Sequence, residues 1–413
     1  TFAKAFRIIH KNLHKALEAT GITNSDEGVT AAPTKSNHMS RFEGTKQRFF
    51  NHLLQGLKAP AVLQQIERDI QAGWAPVVQV VSTGEALLSR RLDQIGASND
   101  LTPEMFTPKG YVLGYLEAAF PIHAFQLVKQ DDGSTVAKPL LDADGRPQVC
   151  REAQELRDAM IEDIMLLAPV PSFLDQLLWH FGPERVAEVT GRSRRTLLQP
   201  NGALRIERRS ASANAAETNS FMDGSKELLI FSDAGGTGRS YHASLSAKNQ
   251  KRRRHYLVEP GWRADNAIQG LGRSHRAAQA SAPFFRVCTT DVHGEKRFTS
   301  TIARRLDTLG ALTKGERRAA SQGMFRAEDN LESPIARACL RALYCSLVAG
   351  DAEYISYAAF CDWTGLKLTD KDGILLDDLP PIQRFLNRIL ALPIAMQNAI
   401  FADFMERISD ASE

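Results

Sequence analysis

The sequence lacks the features that mark several common classes of protein. No uninterrupted apolar run is long enough to span a bilayer, and no charged-then-apolar segment opens the chain, so neither a membrane protein nor a secretory signal is predicted. The five cysteines are scattered and form no CxxC pair. This usage argues against a disulfide framework or a zinc site, and it indicates reduced, buried thiols in a reducing compartment.

Two motifs of nucleotide-dependent enzymes are also missing. The phosphate-binding P-loop, G-x-x-x-x-G-K-[ST], occurs nowhere in the chain. Gly238-Arg239-Ser240 resembles its end, but Asp233 stands where the first glycine is required, and Arg239 replaces the lysine. The acidic pair considered for Mg²⁺, Asp26-Glu27, lies in a polar segment and follows no apolar strand. We therefore predict no metal site in this chain.

The charge that is present is unevenly spread. The 413 residues, 43% of them apolar, suffice for two or three lobes with a sizeable core, and their net charge is only +3. Between Arg185 and Arg318, however, 25 Lys and Arg residues stand against 12 Asp and Glu residues, a local charge of +13. Such a basic middle indicates a polyanion partner, either nucleotide phosphates or a nucleic-acid backbone, or else a solvated basic face.

Four short apolar runs bounded by turn residues predict buried β-strands. They cover residues 76–81, 228–232, 255–259 and 284–288. Helical patterns lie at 264–271 and 295–309, and a further helix is expected after Thr83. Strands that alternate with helices predict an α/β fold with a parallel sheet flanked by helices. The ligand site of such a sheet lies at the carboxyl ends of its strands.

The rest of the chain is predicted to be mainly helical. Apolar residues at helical spacing predict helices over residues 1–20, 42–58, 59–73 and 150–167. A polar stretch at 21–40 is interpreted as a linker, and residues 97–175 as an insertion. Residues 331–410 are predicted to be all-helical with a polar break at 369–378.

The strand at 228–232 is followed by a glycine-rich loop with the sequence SDAGGTGRS, residues 232–240. Its glycines, Gly236 and Gly238 among them, let the backbone approach a phosphate or a strand closely, because no Cβ intervenes. Asp233 at the strand end can fix the loop or bind a water or a ribose hydroxyl. A tight structural turn is the alternative for this loop taken alone.

A second loop follows about thirty residues later with the pattern Gln-x-x-Gly-Arg-x-x-Arg, formed by Gln269, Gly272, Arg273 and Arg276. The three-residue spacing predicts both guanidinium groups on one side of a helical turn, and guanidinium groups match phosphate oxygens. An arginine finger can stabilise the charge of a transferred phosphoryl group by roughly 10³–10⁵ in rate. A surface arginine cluster is the alternative.

A basic run at residues 248–254 lies between the two loops. Lys251, Arg252 and Arg253 in this run can bind a nucleic-acid backbone or belong to a localisation signal. Because the run leads directly into the apolar strand at 255–259, bracing of the sheet edge is the alternative. The chain thus has candidate arginine fingers without a phosphate cradle or metal carboxylates. A neighbouring lobe would supply that half, and the start at Thr1 is expected of a chain cut between two lobes.

The two loops resemble motifs V and VI of superfamily 2 helicases, and the wider sequence resembles the strawberry notch family. The resemblance extends from about residue 40 to the C-terminus and is weakest over 97–175. It rests on ordered blocks that include GTKQRFFNHLL, VVQVVSTGEALL, SDAGGTGRSYHA, GWRADNAIQGLGRSHRAAQASAP and FLNRILALPIAMQNAIFADFMERI.

The resemblance implies that the chain is the second of two RecA-like lobes, with a helical insertion and a helical C-terminal region. The implied domains are 1–40, a helix and linker from the preceding lobe, 41–320, the lobe itself with its insertion, and 321–413, the helical region. The family is implied to clamp ATP with Mg²⁺ between its lobes while it tracks along nucleic acid. The Mg²⁺ ligands are then expected from the missing lobe.

The same resemblance assigns roles by position. Arg273 and Arg276 would reach the γ-phosphate of ATP, and Gln269 would contact nucleotide or couple the lobes. The other residues implied on the cofactor side are Gly272, Asp233, Gly236 and Gly238. Ser82, Thr83 and Thr237 are implied to contact nucleic acid, and the basic run adds Lys251, Arg252 and Arg253 as candidates for the same contact.

The leading hypothesis is an ATP-dependent DNA helicase or translocase, in which this chain needs the preceding RecA-like lobe and is inactive alone. The expected location is the cytoplasm of a bacterial or phage-encoded source, or the nucleus of a eukaryote. One alternative is an ATP-independent nucleic-acid-binding or regulatory module with vestigial helicase motifs. The other is a protein-interaction scaffold that acts through its helical C-terminal region.

Overall fold

The chain divides into two compact units. In the computed structural model, the described residues are 2–24, 29–95, 101–131, 133–210, 212–261, 264–292, 295–296, 299–300, 302 and 330–411. One unit comprises Thr1–Leu53 with Thr107–Val170, and the other comprises Leu54–Phe106 with Pro171–Glu413. The predicted domain boundary near residue 320 lies outside the described residues, and the boundary near residue 40 stays a prediction.

Helices account for much of the described chain. They are α1 (Phe2–Ala19), α2 (Ala32–Gln71), α3 (Glu85–Ile95), α4 (Lys109–Ala118), α5 (Arg151–Met165), α6 (Phe173–Phe181), α7 (Ala213–Asp223), the single turn α8 (Asp233–Gly236), α9 (Ala264–Leu271), α10 (Pro334–Ala349), α11 (Tyr357–Thr364), α12 (Ile382–Arg388) and α13 (Ile394–Asp410). The strands are β1 (Thr23–Asn24), β2 (Val29–Thr30), β3 (Ala75–Val80), β4 (Phe125–Lys129), β5 (Thr135–Pro139), β6 (Val186–Val189), β7 (Arg194–Leu198), β8 (Leu204–Arg208), β9 (Leu228–Ser232), β10 (Arg253–Leu257) and β11 (Phe284–Val287).

A five-stranded sheet with the order β11-β10-β3-β9-β6 forms the centre of the second unit, and all its strand pairs are parallel. Every residue of β3, β6 and β9 is buried, as expected when helices cover both faces of a parallel sheet. The predicted α/β fold with a RecA-like parallel sheet is confirmed. The four predicted strands are all present, although β10 begins two residues earlier than expected. Strand β6 was not predicted.

The two faces of the sheet bury separate apolar clusters. On one face, Val78, Ile230 and Tyr256 pack with the second half of α2 and with α6. On the other face, Val77, Leu229 and neighbouring residues pack against Phe221 of α7. Alternate residues of each strand therefore serve opposite faces, which fixes the register of the sheet.

Helix α2 is one continuous helix of 40 residues. The sequence predicted a linker to residue 40 and then two helices, so this prediction is wrong. Pro60 lies inside the helix, and its missing N–H leaves the carbonyl of Gly56 without the usual partner four residues on. Gln176 Nε2 donates a hydrogen bond to that carbonyl at 3.1 Å, which satisfies the acceptor from outside the helix.

The first unit contains α1, α4, α5 and two hairpins, β1-β2 and β4-β5. Helix α1 buries Phe6 against an aromatic cluster, with ring centroids 4.9 Å from Phe49 and 5.0 Å from Phe50. The helices predicted at 1–20 and 150–167 are confirmed as α1 and α5. The insertion is not purely helical, because it also contains the β4-β5 hairpin.

The C-terminal region is helical, as predicted, with α10 to α13 packed around a single apolar cluster. The polar break at 369–378 contains a tight turn, closed by a bridge between Thr369 and Leu375. The helix predicted at 295–309 falls largely outside the described residues, as does Asp26-Glu27. Among the residues described, no helix has both the length and the apolar character needed to cross a membrane.

Candidate functional site

The predicted site residues gather where parallel strands end. Ser82 and Thr83 follow β3, the loop Asp233–Gly238 follows β9, and Glu259 follows β10. Because β3, β9 and β10 are adjacent and parallel, these segments lie at one edge of the sheet, which we call the carboxyl edge. This is the edge where open α/β sheets bind their ligands.

The loop after β9 is a single helical turn, α8, held by one hydrogen bond within the loop and one from α9. Asn266 Nδ2 donates to Asp233 Oδ2 at 3.0 Å, and the hydroxyl of Thr237 donates to the carbonyl of Asp233 at 2.9 Å. Burial raises the pKa of Asp233 above its ordinary value, although the hydrogen bond from Asn266 opposes this. Asp233 thus fixes the loop to α9, one of the two roles predicted for it.

Close approach explains the glycines of this loop. A Cβ on Gly235 would lie 2.5 Å from the backbone nitrogen of Thr190 and closer still to the carbonyl of Val189. Gly236 is less confined, since a Cβ there would first meet the ring of Phe231 at 3.1 Å, whereas Gly238 has open space around it and a φ of +74° that favours glycine. Gly235 was quoted in the motif but not predicted as a site residue, although its place in a Gly-Gly pair was a usable signal.

Arg273 faces this loop from the turn after α9. Its Nη1 donates to the carbonyl of Gly236 and, at 3.0 Å, to the carbonyl of Arg239. In return, the backbone N–H of Tyr241 donates to the carbonyl of Arg273 at 2.7 Å. The two loops predicted from sequence are therefore joined directly, and Arg273 is half-buried between them.

Arg276 has a different environment. Its side chain is exposed and makes no hydrogen bond or ion pair with any residue that the structure describes, while its backbone N–H donates to Gln279. Helix α9 ends at Leu271, so the prediction that Arg273 and Arg276 share one side of a helical turn is wrong. Gln269 is exposed in the last turn of α9, and Gly272 closes that turn with a hydrogen bond to Ile268.

A buried polar network that the sequence did not predict supports this turn. His255 is fully buried in β10, with Nδ1 2.7 Å from the hydroxyl of Ser274 and Nε2 3.1 Å from Oε1 of Gln79. Gln79 Nε2 donates to the carbonyl of Ala267 in α9, and Gly270 lets the helix pass close to Gln79. Burial lowers the pKa of His255 to about 3, so the ring is neutral.

Glu259 organises the segment after β3. Its carboxylate accepts hydrogen bonds from the backbone N–H groups of Val81 and Ser82, at 2.8 and 2.6 Å, and from the hydroxyl of Ser82 at 2.7 Å. Both donors of Ser82 are therefore directed at Glu259. Glu259 is buried and was not predicted, although a carboxylate at the end of an apolar strand is a recognisable signal.

The basic run lies at the opposite, amino-terminal edge of the sheet, because Arg253 pairs with Ala75 at the start of β3. Arg253 is fully buried and donates to the carbonyls of Tyr241, Lys251 and Asn249 at 2.7, 2.6 and 2.8 Å. The nucleic-acid contact predicted for Arg253 is therefore wrong, since all these donors are used inside the fold.

Lys251 and Arg252 remain exposed. Arg252 lies over the ring of Trp74 at 5.1 Å and donates to the carbonyl of Ala282 at 2.8 Å. Strand β3 separates these residues from Ser82 and Thr83 by about 20 Å at some 3.3 Å per residue. The structure does not bring the two predicted sets of nucleic-acid contacts together.

A buried ion network lies beside the glycine loop, at the end of β6. Arg192 donates to Glu188 at 2.6 Å and to Asp175 at 2.8 Å, and Arg209 donates to the carbonyls of Glu188 and Arg192. Burial opposes ionisation of Glu188, but the charges of Arg192 and Arg209 outweigh it and lower the pKa of Glu188 to about 2. The network fixes Thr190, on which Gly235 rests.

Comparison with known proteins identifies the family. The family described as the C-terminal domain on Strawberry notch homologue matches residues 172–413. Protein strawberry notch homolog 1 of Rattus norvegicus is 29% identical over 462 residues, which cover 91% of this chain and 36% of the relative. No solved structure matches the chain.

Two further relatives show higher identity over shorter stretches. The Homo sapiens protein strawberry notch homolog 1 is 36% identical over 283 residues, covering 62% of this chain and 20% of the relative. Protein FORGETTER 1 of Arabidopsis thaliana is 36% identical over 292 residues, covering 61% and 22%.

The chain spans roughly a third or less of the length of these relatives. Since the relatives are animal and plant proteins, the expected bacterial or phage source is not supported. The family match covers more than half of the chain and includes both loops. The chain therefore belongs to the strawberry notch family and contains the C-terminal helicase-family lobe of that family.

Proposed function

We propose that this chain is the second motor lobe of an ATP-dependent helicase or translocase, with DNA as its expected track. The observation that supports this most is the contrast at the carboxyl edge between a fixed turn and an exposed Arg276. The turn is held by the contact between His255 and Ser274 and by the hydrogen bond from Arg273 to the glycine loop. The Arg276 side chain is exposed beyond this turn and has no hydrogen-bond or ion-pair partner among the described residues. Its charge is therefore available to a ligand.

The described residues fit one half of an ATP site. Arg276 would stabilise negative charge on the transferred phosphoryl group, and Gln269, exposed in the last turn of α9, would contact nucleotide or the other lobe. The phosphate cradle and the Mg²⁺ ligands would come from the preceding lobe. In the part of this chain that the structure describes, no group of three or more His, Cys, Asp or Glu side chains could hold a metal ion.

Nucleic-acid contacts are proposed at the same edge. Thr83 is half-buried directly after Ser82, and Thr237 is exposed on the glycine loop. Because Glu259 takes both donors of Ser82, we assign the phosphate contact to Thr83 and a supporting role to Ser82. Lys251 and Arg252 would contact a different stretch of nucleic acid at the amino-terminal edge.

The test is DNA-stimulated ATP hydrolysis by the parent protein with both lobes. We expect Arg276→Ala to lower kcat by about 10³-fold or more while DNA binding is retained. Arg205→Ala, which removes an exposed arginine from the hairpin β7-β8, is the matched control and should hydrolyse ATP at the wild-type rate. Salt-sensitive DNA binding that is indifferent to ATP, with no hydrolysis by the wild type, would support the nucleic-acid-binding module instead.

A further inference from the structure

The two arginines of the second loop differ in what they touch. Arg276 is exposed. In contrast, Nη1 of Arg273 donates hydrogen bonds to two backbone carbonyls of the glycine loop, those of Gly236 and Arg239. Between those carbonyls lies Thr237, which the proposed function assigns to nucleic acid. We infer that Arg273 is a positioning residue that holds the glycine loop in its nucleic-acid-contacting shape, and that only Arg276 is the arginine finger.

The packing around Gly236 supports this assignment. A Cβ on Gly236 would lie 3.1 Å from the ring of Phe231, 3.2 Å from the hydroxyl of Tyr241 and 3.6 Å from Nε of Arg273. The ring of Phe231 and the hydroxyl of Tyr241 leave little room for a side chain here, and Nε of Arg273 lies beside them at ordinary van der Waals distance. Gly236 is therefore enclosed on the side from which Arg273 approaches the loop.

The backbone of Arg273 is held as firmly as its side chain. Its carbonyl accepts from Tyr241 at 2.7 Å, and the next residue, Ser274, is fully buried and bonded to His255. The N–H of Arg239 donates to Gly236 within the loop at 3.1 Å. The side-chain and backbone hydrogen bonds of Arg273 thus hold residues 236–241 together, an arrangement that we call the clasp. No carboxylate in the described chain forms an ion pair with Arg273.

The inference rests on the proposed function for its kinetic consequence but not for its structural one. In the full parent protein, Arg273→Ala should speed hydrogen exchange of the Arg239 and Tyr241 amides by about tenfold or more, because their acceptors lose their support. Arg276→Ala, the matched arginine three residues on, should leave that exchange unchanged. Arg273→Lys keeps one charged nitrogen that can donate to carbonyls, but its shorter side chain cannot place that nitrogen where Nη1 lies, so it should give an intermediate increase.

The kinetic prediction separates the two roles. Arg273→Ala should raise the DNA concentration for half-maximal ATPase stimulation by about tenfold and lower kcat at saturating DNA far less than Arg276→Ala does. Equal kcat losses in the two variants, with loop exchange at the wild-type rate, would show that Arg273 is a finger and overturn the inference. If the wild type hydrolyses no ATP, the proposed function fails, and the exchange rates still decide whether the clasp exists.

Discussion

The Nδ1 of His255 lies 2.7 Å from the hydroxyl of Ser274, and this contact joins a buried strand to the turn that presents Arg273 and Arg276. Strand β10 lies between β11 and the central strand β3, and its histidine is completely buried. The turn that carries the proposed finger is therefore anchored to a buried residue of the sheet. This hydrogen bond fixes the backbone of the turn that carries both arginines. The side chain of Arg276 is exposed, whereas that of Arg273 turns back onto the glycine loop.

Acidification should destabilise the lobe through His255. Burial lowers the pKa of His255 from 6.5 to about 3, so between these values the unfolded chain binds a proton that the folded chain does not. The contribution of the neutral ring to the free energy of unfolding is fully present above pH 6.5. It falls by about 1.4 kcal/mol per pH unit as the pH drops toward 3. Urea unfolding from pH 7 to 4.5 should show the wild type losing more stability than His255→Asn. Parallel pH profiles of the two proteins would contradict this.

Removing Arg192 should be far more costly than removing a surface arginine. Arg192→Ala leaves the buried carboxylate of Glu188 without its closest partner, and we expect a loss of about 3–5 kcal/mol in unfolding free energy. Arg151→Ala breaks an exposed pair with Glu155 and should cost less than about 0.5 kcal/mol. Chemical denaturation of both variants gives the comparison, and similar losses would refute the proposed role of the network.

Gly235→Ala should loosen the glycine loop. The new methyl group would meet backbone atoms of Val189 and Thr190, which cannot rotate away, so a loss of about 1–3 kcal/mol is expected. Gly44→Ala in α2 is the matched control, because nothing lies within 4 Å of its Cβ position. That substitution should be neutral or stabilising by up to about 1 kcal/mol. Thermal unfolding measures both, and an equally tolerated alanine at 235 would contradict the close packing.

Charge removal at the amino-terminal edge should act on binding and not on turnover. In the parent protein, the double change Lys251→Ala with Arg252→Ala should lower the magnitude of the slope of log affinity against log salt by about 2, because two phosphate contacts are lost. ATP turnover at saturating DNA should stay at the wild-type level. An unchanged salt slope would mean that nucleic acid does not reach this edge, and that Lys251 and Arg252 serve only the fold.

The parts of the fold set by local pattern could be predicted, and the parts set by distant partners could not. Strands β3 and β9 are apolar except for Gln79 and Ser232, and both were placed to within one residue. Strand β6 was missed because Glu188 interrupts its apolar run; the charge of Glu188 is compensated by Arg192 at 2.6 Å and by Arg209, 21 residues on, at 3.5 Å. Two helices were predicted over 42–58 and 59–73 in place of the continuous α2, and nothing local shows that Gln176 supplies the donor that is missing at Pro60.

The same division holds at the site. The spacing of Gln269, Gly272, Arg273 and Arg276 located the second loop, but it could not show that one arginine turns back onto the glycine loop. Arg253 was taken for a surface residue because the run around it is basic. The alternation of a strand places Arg253 on the same side as the buried His255, and this signal was present in the sequence.

The most direct test of the central claim is the single-turnover rate of phosphate release by the parent protein, with enzyme in excess over ATP and with saturating DNA. Arg276→Lys should release phosphate at least about a hundredfold more slowly than the wild type, with DNA affinity unchanged, because a lysine cannot reproduce the planar guanidinium. Equal rates in the two proteins would contradict the assignment of Arg276 as the finger and, with it, the motor function proposed for this lobe.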